Sequence, residues 1–301
     1  MKIRLAARAS PLSLAQVEIV ARALSGRAEV EIATYRTTGD RLSHLDAAIQ
    51  GKGVFTREID EALLGGRADV GIHSLKDLPS EMPEGLVLAA VPAREDPSDV
   101  LISCPHRSFA ALPKGARVGT GSPRRRAQLQ AARPDLQIAD ARGNVDTRIR
   151  RLKESRWDAI VLARAGLARL GRLEEISEVF SSEILLPAIG QGALALVIRR
   201  GDDRAAEILA ALDHPASHRA ALAERTLLRF LQAGCRAPLA GLATEQAGRL
   251  KLSAGVFSPG GDRVLREEGS GPADEPERLG QAVAEKLLAR GAAELIGQAR
   301  V

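Results

Sequence analysis

Aromatic side chains are scarce in this 301-residue chain, which has one Trp, one Tyr and five Phe. Proteins that grip single-stranded nucleic acid stack bases on aromatic platforms, so the composition argues against that class. Cysteine is scarcer still. Cys104 and Cys235 are the two present, too few for a disulfide framework, and a reducing cytoplasm is the expected compartment. Neither has a Cys or His partner at ligand spacing, so no metal site is expected. No apolar run reaches the ~18 residues of a membrane span, and the first residues carry charges inside every short apolar run, unlike a secretory signal. Lysine is the last scarcity: it supplies seven of the 43 basic residues, and arginine the other 36. Codon bias explains the ratio as a whole. The placement of the arginines is the informative part, because guanidinium groups grip carboxylates and phosphates through paired hydrogen bonds.

What remains is the profile of a globular protein, 45% apolar and 27% charged with a net charge of +5. The length allows two or three domains. Short β-like runs alternate with helical patterns, the mark of a parallel α/β sheet. Strands are predicted at 3–7, 30–35, 70–72 and 86–91, and helices at 10–24 and 55–64. A linker rich in proline and charge follows at 92–98. A second unit then repeats the scheme, with strands at 117–119, 137–139 and 159–163 and helices at 122–132 and 145–155. After Pro187 a glycine-punctuated crossing leads to the apolar run 193–198, which is expected to rejoin the first sheet. The pattern changes near Pro215 to helix, two strands and a C-terminal helix at about 275–288. The predicted domains are therefore 1–92 plus 193–212, then 98–187, then a small α+β domain at 215–301.

One device occurs twice. Ser10-Pro11 and Ser122-Pro123 each follow a strand and open a helix. Serine caps the helix and proline fits its first turn. Both helix starts present free amides and a positive dipole end to an anion. Arg8 precedes the first and Arg124, Arg125 and Arg126 follow the second, with Arg142 and Arg148 close behind. Five arginines on two neighbouring loops repel unless something anionic neutralises them, which points to an acidic ligand. Gly51-Lys52-Gly53 lacks the GxxxxGK[ST] spacing of a nucleotide phosphate loop and reads instead as a lid carrying one cation and the aromatic Phe55. His73-Ser74-Leu75-Lys76-Asp77 ends a predicted strand, where a carboxylate beside a lysine is well placed for acid or base work. Gly234-Cys235 lies between a helix and Pro238, an exposed setting in which a thiol can be modified.

In this order and spacing the signals resemble the porphobilinogen deaminase family. The resemblance is carried by Arg8, Ser10, Gln16, Lys52, Phe55, His73, Lys76, Asp77, Ser122, Arg124, Arg125, Arg142, Arg148, Arg169, Gly190-Gln191-Gly192 and Cys235, over residues 3 to about 240. It implies two lobes of the type II periplasmic-binding-protein kind and a third domain that carries a dipyrromethane cofactor on Cys235 through a thioether. It implies that porphobilinogen loses ammonia, that the growing chain's last pyrrole attacks the resulting electrophile, and that four additions give the linear tetrapyrrole hydroxymethylbilane. By the same resemblance a buried Asp77 is catalytic, stabilising the positive charge that develops on pyrrole nitrogens. Cys235, Lys76, Asp77, Ser122, Arg124, Arg125 and Arg142 would hold the cofactor. Arg8, Ser10, Gln16, Lys52, Phe55, Arg142, Arg148 and Arg169 would hold substrate. Ala233, Arg236 and Pro123 depart from the family's usual residues without removing a reacting group. The family implies a cytoplasmic monomer that needs no nucleic acid or membrane. The rival readings are a cytosolic two-lobed organic-anion binding protein, which leaves Cys235 unexplained, and a nucleic-acid binder, which the spread of acidic residues opposes.

Overall fold

The computed structural model describes residues 2–38, 55–233 and 237–298. The chain divides into two compact units, Met1–Glu95 with Ala193–His218, and Asp96–Gly192 with Arg219–Val301. The second α/β lobe and the C-terminal sheet thus share one compact unit.

The first unit holds strands β1 (Lys2–Arg8), β2 (Glu29–Tyr35), β3 (Val70–Ser74) and β4 (Leu86–Ala90), and helices α1 (Pro11–Ala23) and α2 (Arg57–Leu64). A short 3-10 turn, Leu75–Asp77, follows β3 directly. The second unit begins with β5 (Asp99–Ile102), β6 (Arg117–Gly119), α3 (Pro123–Ala132), β7 (Gln137–Ala139), α4 (Val145–Lys153), β8 (Ala159–Ala163), α5 (Arg164–Arg169) and β9 (Glu178–Val179). The chain then returns to the first unit for β10 (Leu194–Arg199) and α6 (Asp203–Ala210). The sheet order of the first unit is β2-β1-β3-β10-β4, and that of the second is β7-β6-β8-β5-β9. The two orders are the same scheme: second strand, first, third, then an antiparallel strand, then the last. In each sheet that antiparallel strand comes directly after a crossing; in the first it is β10, supplied by the separate segment Ala193–His218, and in the second it is β5, the strand that opens the unit's own run. The expected return of the 193–198 run to the first sheet is what β10 does.

Sequence explains why these two strands sit inside. The run LALVIR of β10 is buried through its first five residues, and DVLI of β5 is buried throughout. Such unbroken apolar runs suit a strand covered on both faces. Sequence patterning placed no strand at β5, because the run is short and opens on an aspartate. In the second sheet Gly119 lets the Trp157 ring approach, since a Cβ there would lie 2.8 Å from the indole. In the first unit Ile3, Leu5, Val17, Val20, Ile72 and Leu196 form the core.

The remainder of the second unit is α+β. Helix α7 (Pro215–Phe230) leads to the antiparallel meander β11 (Leu239–Gln246), β12 (Arg249–Phe257) and β13 (Val264–Pro272), then to α8 (Pro276–Ala289) and α9 (Ala292–Gln298). Leu227, Leu250, Leu252, Val283 and Leu287 are fully buried there. Each such burial stabilises by about 1.5–3 kcal/mol. Phe257 and Ala240 of this sheet pack on Ala127 and Leu186. The mixed α/β class, with two parallel-rich lobes and a small C-terminal sheet domain, matches the sequence expectation.

Candidate active site

Strand ends position the site of the first unit. β1 ends at Arg8, and Ser10 caps α1, its hydroxyl accepting the Ser13 N–H with Pro11 in the first turn. The strand β3 stops at Ser74, and the 3-10 turn carries Lys76 and Asp77 just beyond it. α1 packs across both strand ends, and its buried Gln16 donates from Nε2 to the Ser74 Oγ at 2.8 Å. Arg8, Ser10, Gln16, Phe55, His73, Ser74 and Asp77 line one pocket. The Arg8 guanidinium lies over the Phe55 ring, 4.3 Å from its centroid, a cation–π contact.

Asp77 is half-buried, where sequence reading expected it buried. The difference follows from its place at the end of a three-residue turn rather than within the strand. Among the described residues its carboxylate makes no hydrogen bond or ion pair. An acceptor set in a pocket without a donor is free to take one from a ligand. Lys76 is exposed on the same turn. His73 is buried, and its Nε2 has no hydrogen-bond partner among the described residues. Burial, with the nearby positive charge of Arg8, pushes its imidazole down to about 4. It is therefore neutral at pH 7 and adds no cation to the pocket.

The second unit uses the same strand-end position differently. Ser122 caps α3 by accepting the Arg125 N–H. Arg124 and Arg125 then turn inward, both nine-tenths buried or more. Arg124 pairs with one oxygen of Asp99 at 2.7 Å and donates to the Leu186 carbonyl at 2.6 Å. Arg125 pairs with the other oxygen at 2.7 Å and donates to the Val161 carbonyl at 2.9 Å. The Gln191 amide adds a bond to Asp99 at 2.9 Å. Burial alone would raise the Asp99 carboxyl, but the two guanidinium charges and the amide hold it below its usual range. Arg126 and Arg142 share Asp140, at 3.1 and 3.3 Å. Arg169 donates to the Gly192 carbonyl at 2.6 Å.

The arginine loops, expected to need an anionic ligand against their mutual repulsion, instead find acids within the protein. Asp99 and Asp140 each pair with two of those five arginines, so clustering alone does not require a ligand. Arg148 is the exception. It is half-buried on α4, its Nε is buried without a hydrogen-bond partner, and no carboxylate meets it among the described residues. Burial and the charge of Arg125 push it down to about 10. It stays cationic at pH 7, with no anion beside it among the described residues. Gly143, just before the Asn144 cap of α4, has φ of 102°, a conformation that favours glycine.

Lys52 and Cys235 lie outside the described residues, as does the Gly51–Gly53 motif. The other thiol, Cys104, is free and exposed. Asp99 and Ser13 were not singled out by sequence. For Asp99 the available signal was a lone aspartate heading a fully apolar run, where a buried charge must be paired. Among the described residues no helix is long and apolar enough to cross a membrane.

Comparison with known proteins gives two family matches. Residues 3–207 match the model described as porphobilinogen deaminase, dipyromethane cofactor binding domain, and residues 218–289 match porphobilinogen deaminase, C-terminal domain. The chain is 48% identical over 301 residues to the porphobilinogen deaminase of Rubrobacter xylanophilus, covering 99% of this chain and 98% of that one. It is 45% identical to that of Pelobacter propionicus, covering 96% and 94%. Among solved structures, a nutrient binding protein from Burkholderia cenocepacia bound to methionine aligns at a TM-score of 0.45 and 15% identity, covering 75% of this chain and 94% of that one.

Proposed function

This chain belongs to the porphobilinogen deaminase family, and from that premise we propose that Asp77, the arginines of the two lobes and Cys235 carry its reaction. The enzyme is a transferase that deaminates four porphobilinogen molecules and joins them head to tail into hydroxymethylbilane, in tetrapyrrole biosynthesis. Its cofactor is dipyrromethane. When bound, that group supplies the free pyrrole carbon from which the product grows.

The residues present fit such a ligand. A pyrrole with acetate and propionate arms offers N–H donors and carboxylates. In the first unit Asp77 offers an acceptor with no partner among the described residues, and in the second Arg148 offers a cation that no described carboxylate meets. The open carboxylate of Asp77, in the pocket it lines with Arg8, Ser10 and Gln16, is the observation carrying the reading. Asp77 accepts pyrrole N–H groups and holds the positive charge that develops on them, a preorganised electrostatic role, and it moves the proton lost from the new ring. Arg8 and Arg148 hold carboxylates, helped by Ser10, Gln16 and the ring of Phe55. Arg142, Arg169, Lys76 and Lys52 are assigned to the same acidic arms. The guanidinium groups of Arg124 and Arg125 are committed to Asp99, so we assign them to fixing the helix start at Ser122. We assign the thioether to Cys235, in the C-terminal domain from residue 215. The working form we propose is a cytoplasmic monomer that binds porphobilinogen and no nucleic acid.

Intact-mass measurement and peptide mapping test the assignment. The purified protein is expected to carry an excess of two pyrrole units on the Cys235 peptide. Cys235→Ser should lose the adduct and all turnover, whereas Cys104→Ser should keep both. An adduct retained in Cys235→Ser would refute the thiol assignment.

A further inference from the structure

Ser13, a polar side chain in the pocket of the first unit, has no role in the reaction proposed above. Ser13 is 6% exposed and lines the same pocket as Arg8, Ser10, Gln16 and Asp77. Its Oγ accepts the main-chain N–H of Arg8 at 3.0 Å. The sheet explains why that N–H needs an acceptor. β1 pairs with β2 along its whole length, as far as Arg8 opposite Tyr35. It pairs with β3 only at Leu5 and Ala6. Successive N–H groups of a strand point to alternate neighbours, and the Ala9 N–H goes to the Tyr35 carbonyl on the β2 side. The Arg8 N–H therefore faces the β3 side, past the point where that ladder has ended, and Ser13 takes it.

Ser13 is itself fixed. Its own N–H is capped by the Ser10 hydroxyl at 3.4 Å. The end of β1 is thus closed by two serines in series, Ser10 holding Ser13 and Ser13 holding Arg8. We propose that Ser13 is a positioning residue of the substrate site, which fixes the main chain of Arg8 so that its guanidinium meets a porphobilinogen carboxylate in one orientation. A guanidinium fork binds a carboxylate through two parallel bonds, so its strength depends on direction as well as distance. Without the serine oxygen the Arg8 N–H is left without its partner, and the last residue of β1 loses the bond that sets its direction.

The proposal rests on the substrate reading of Arg8, and kinetics on the holoenzyme separate the two. Ser13→Ala is expected to raise KM for porphobilinogen about three- to tenfold, with kcat within about twofold, because ground-state and transition-state binding weaken together. Its melting temperature should stay within about 2 °C of the wild type. Ser13→Thr keeps the oxygen and should hold KM within about twofold. In an Arg8→Gln background, Ser13→Ala should change KM by less than about twofold, since residues acting through one another are not additive. An unchanged KM in Ser13→Ala, or a full effect that persists without Arg8, would overturn the role of Ser13 and leave the substrate reading intact. A wild-type holoprotein that makes no hydroxymethylbilane would overturn the substrate reading itself, and the role of Ser13 with it.

Discussion

Ser10 and Ser122 open their helices in the same way, each accepting the N–H three residues on, with proline in the first turn. What surrounds each cap differs. In the first unit Arg8 stands in a pocket over Phe55, and Asp77, after the third strand, has no partner among the described residues. In the second unit Arg124 and Arg125 point inward and bracket Asp99, whose two oxygens are both engaged. The two lobes share one strand order, yet one keeps a carboxylate open while the other seals its carboxylate between two cations. A charge that is matched inside the protein holds the fold together, and a charge left open is available to a ligand. The same residue types at matching strand ends therefore carry different duties.

Replacing each carboxylate tests that division, and the sealed one should give the larger effect. Asp99→Asn leaves two buried guanidinium groups without their counter-ion. Breaking a buried pair by removing one partner costs about 3–5 kcal/mol. Denaturant unfolding should show that loss, with turnover falling only as far as the folded fraction falls. An Asp99→Asn protein as stable as the wild type would remove the distinction between the lobes.

Asp77→Ala should do the opposite. Losing one preorganised electrostatic group lowers kcat by about 10²–10³-fold. Its stability should stay within about 0.5 kcal/mol of the wild type, because the half-buried carboxylate has no partner to lose. Single-turnover rates and denaturant unfolding, measured on the same preparation, check both halves. Retained kcat would remove Asp77 from the reaction.

Much of this was legible in the sequence, for reasons that differ between residues. The paired Ser-Pro caps were visible because capping is local, set by residues within one turn. The return of β10 to the first sheet was legible from its unbroken apolar run. The fate of Arg124 and Arg125 was not, because their partner Asp99 lies 26 residues from Arg125 and the pairing exists only once β5 is placed beside β8. Sequence spacing put the arginines on neighbouring loops and inferred a ligand, and tertiary structure supplied an internal acid. Ser13 was hidden for a similar reason. Its role depends on where the ladder between β1 and β3 stops, and no motif records that.

The smallest effect compares two buried carboxyls. Asp99, flanked by cations, is held below its usual range. Asp60, buried in α2 of the first unit, faces the negative charges of Glu58 and Glu61, and burial first, then those charges, pushes it up to about 6. Its unfolded value is 3.8, so between pH 4 and 6 the folded state binds more protons and stability falls as pH rises. His73 runs the other way. Its folded value of about 4 lies below the unfolded 6.5, so the unfolded state binds more protons and stability rises between pH 4 and 6.5. In the wild type these two contributions oppose each other over that window. Asp60→Asn removes the falling slope. Its melting temperature should climb from pH 4 to 6.5, and at pH 7 it should exceed the wild type by on the order of 1–2 kcal/mol in stability. His73→Gln removes the rising contribution of the imidazole, so its gain over the wild type should be largest near pH 4 and shrink towards pH 6.5. Thermal unfolding across pH 4–7.5 reads both. A profile for Asp60→Asn parallel to the wild type would mean that Asp60 ionises in the fold at its ordinary value, and the contrast with Asp99 would then rest on its ion pairs alone.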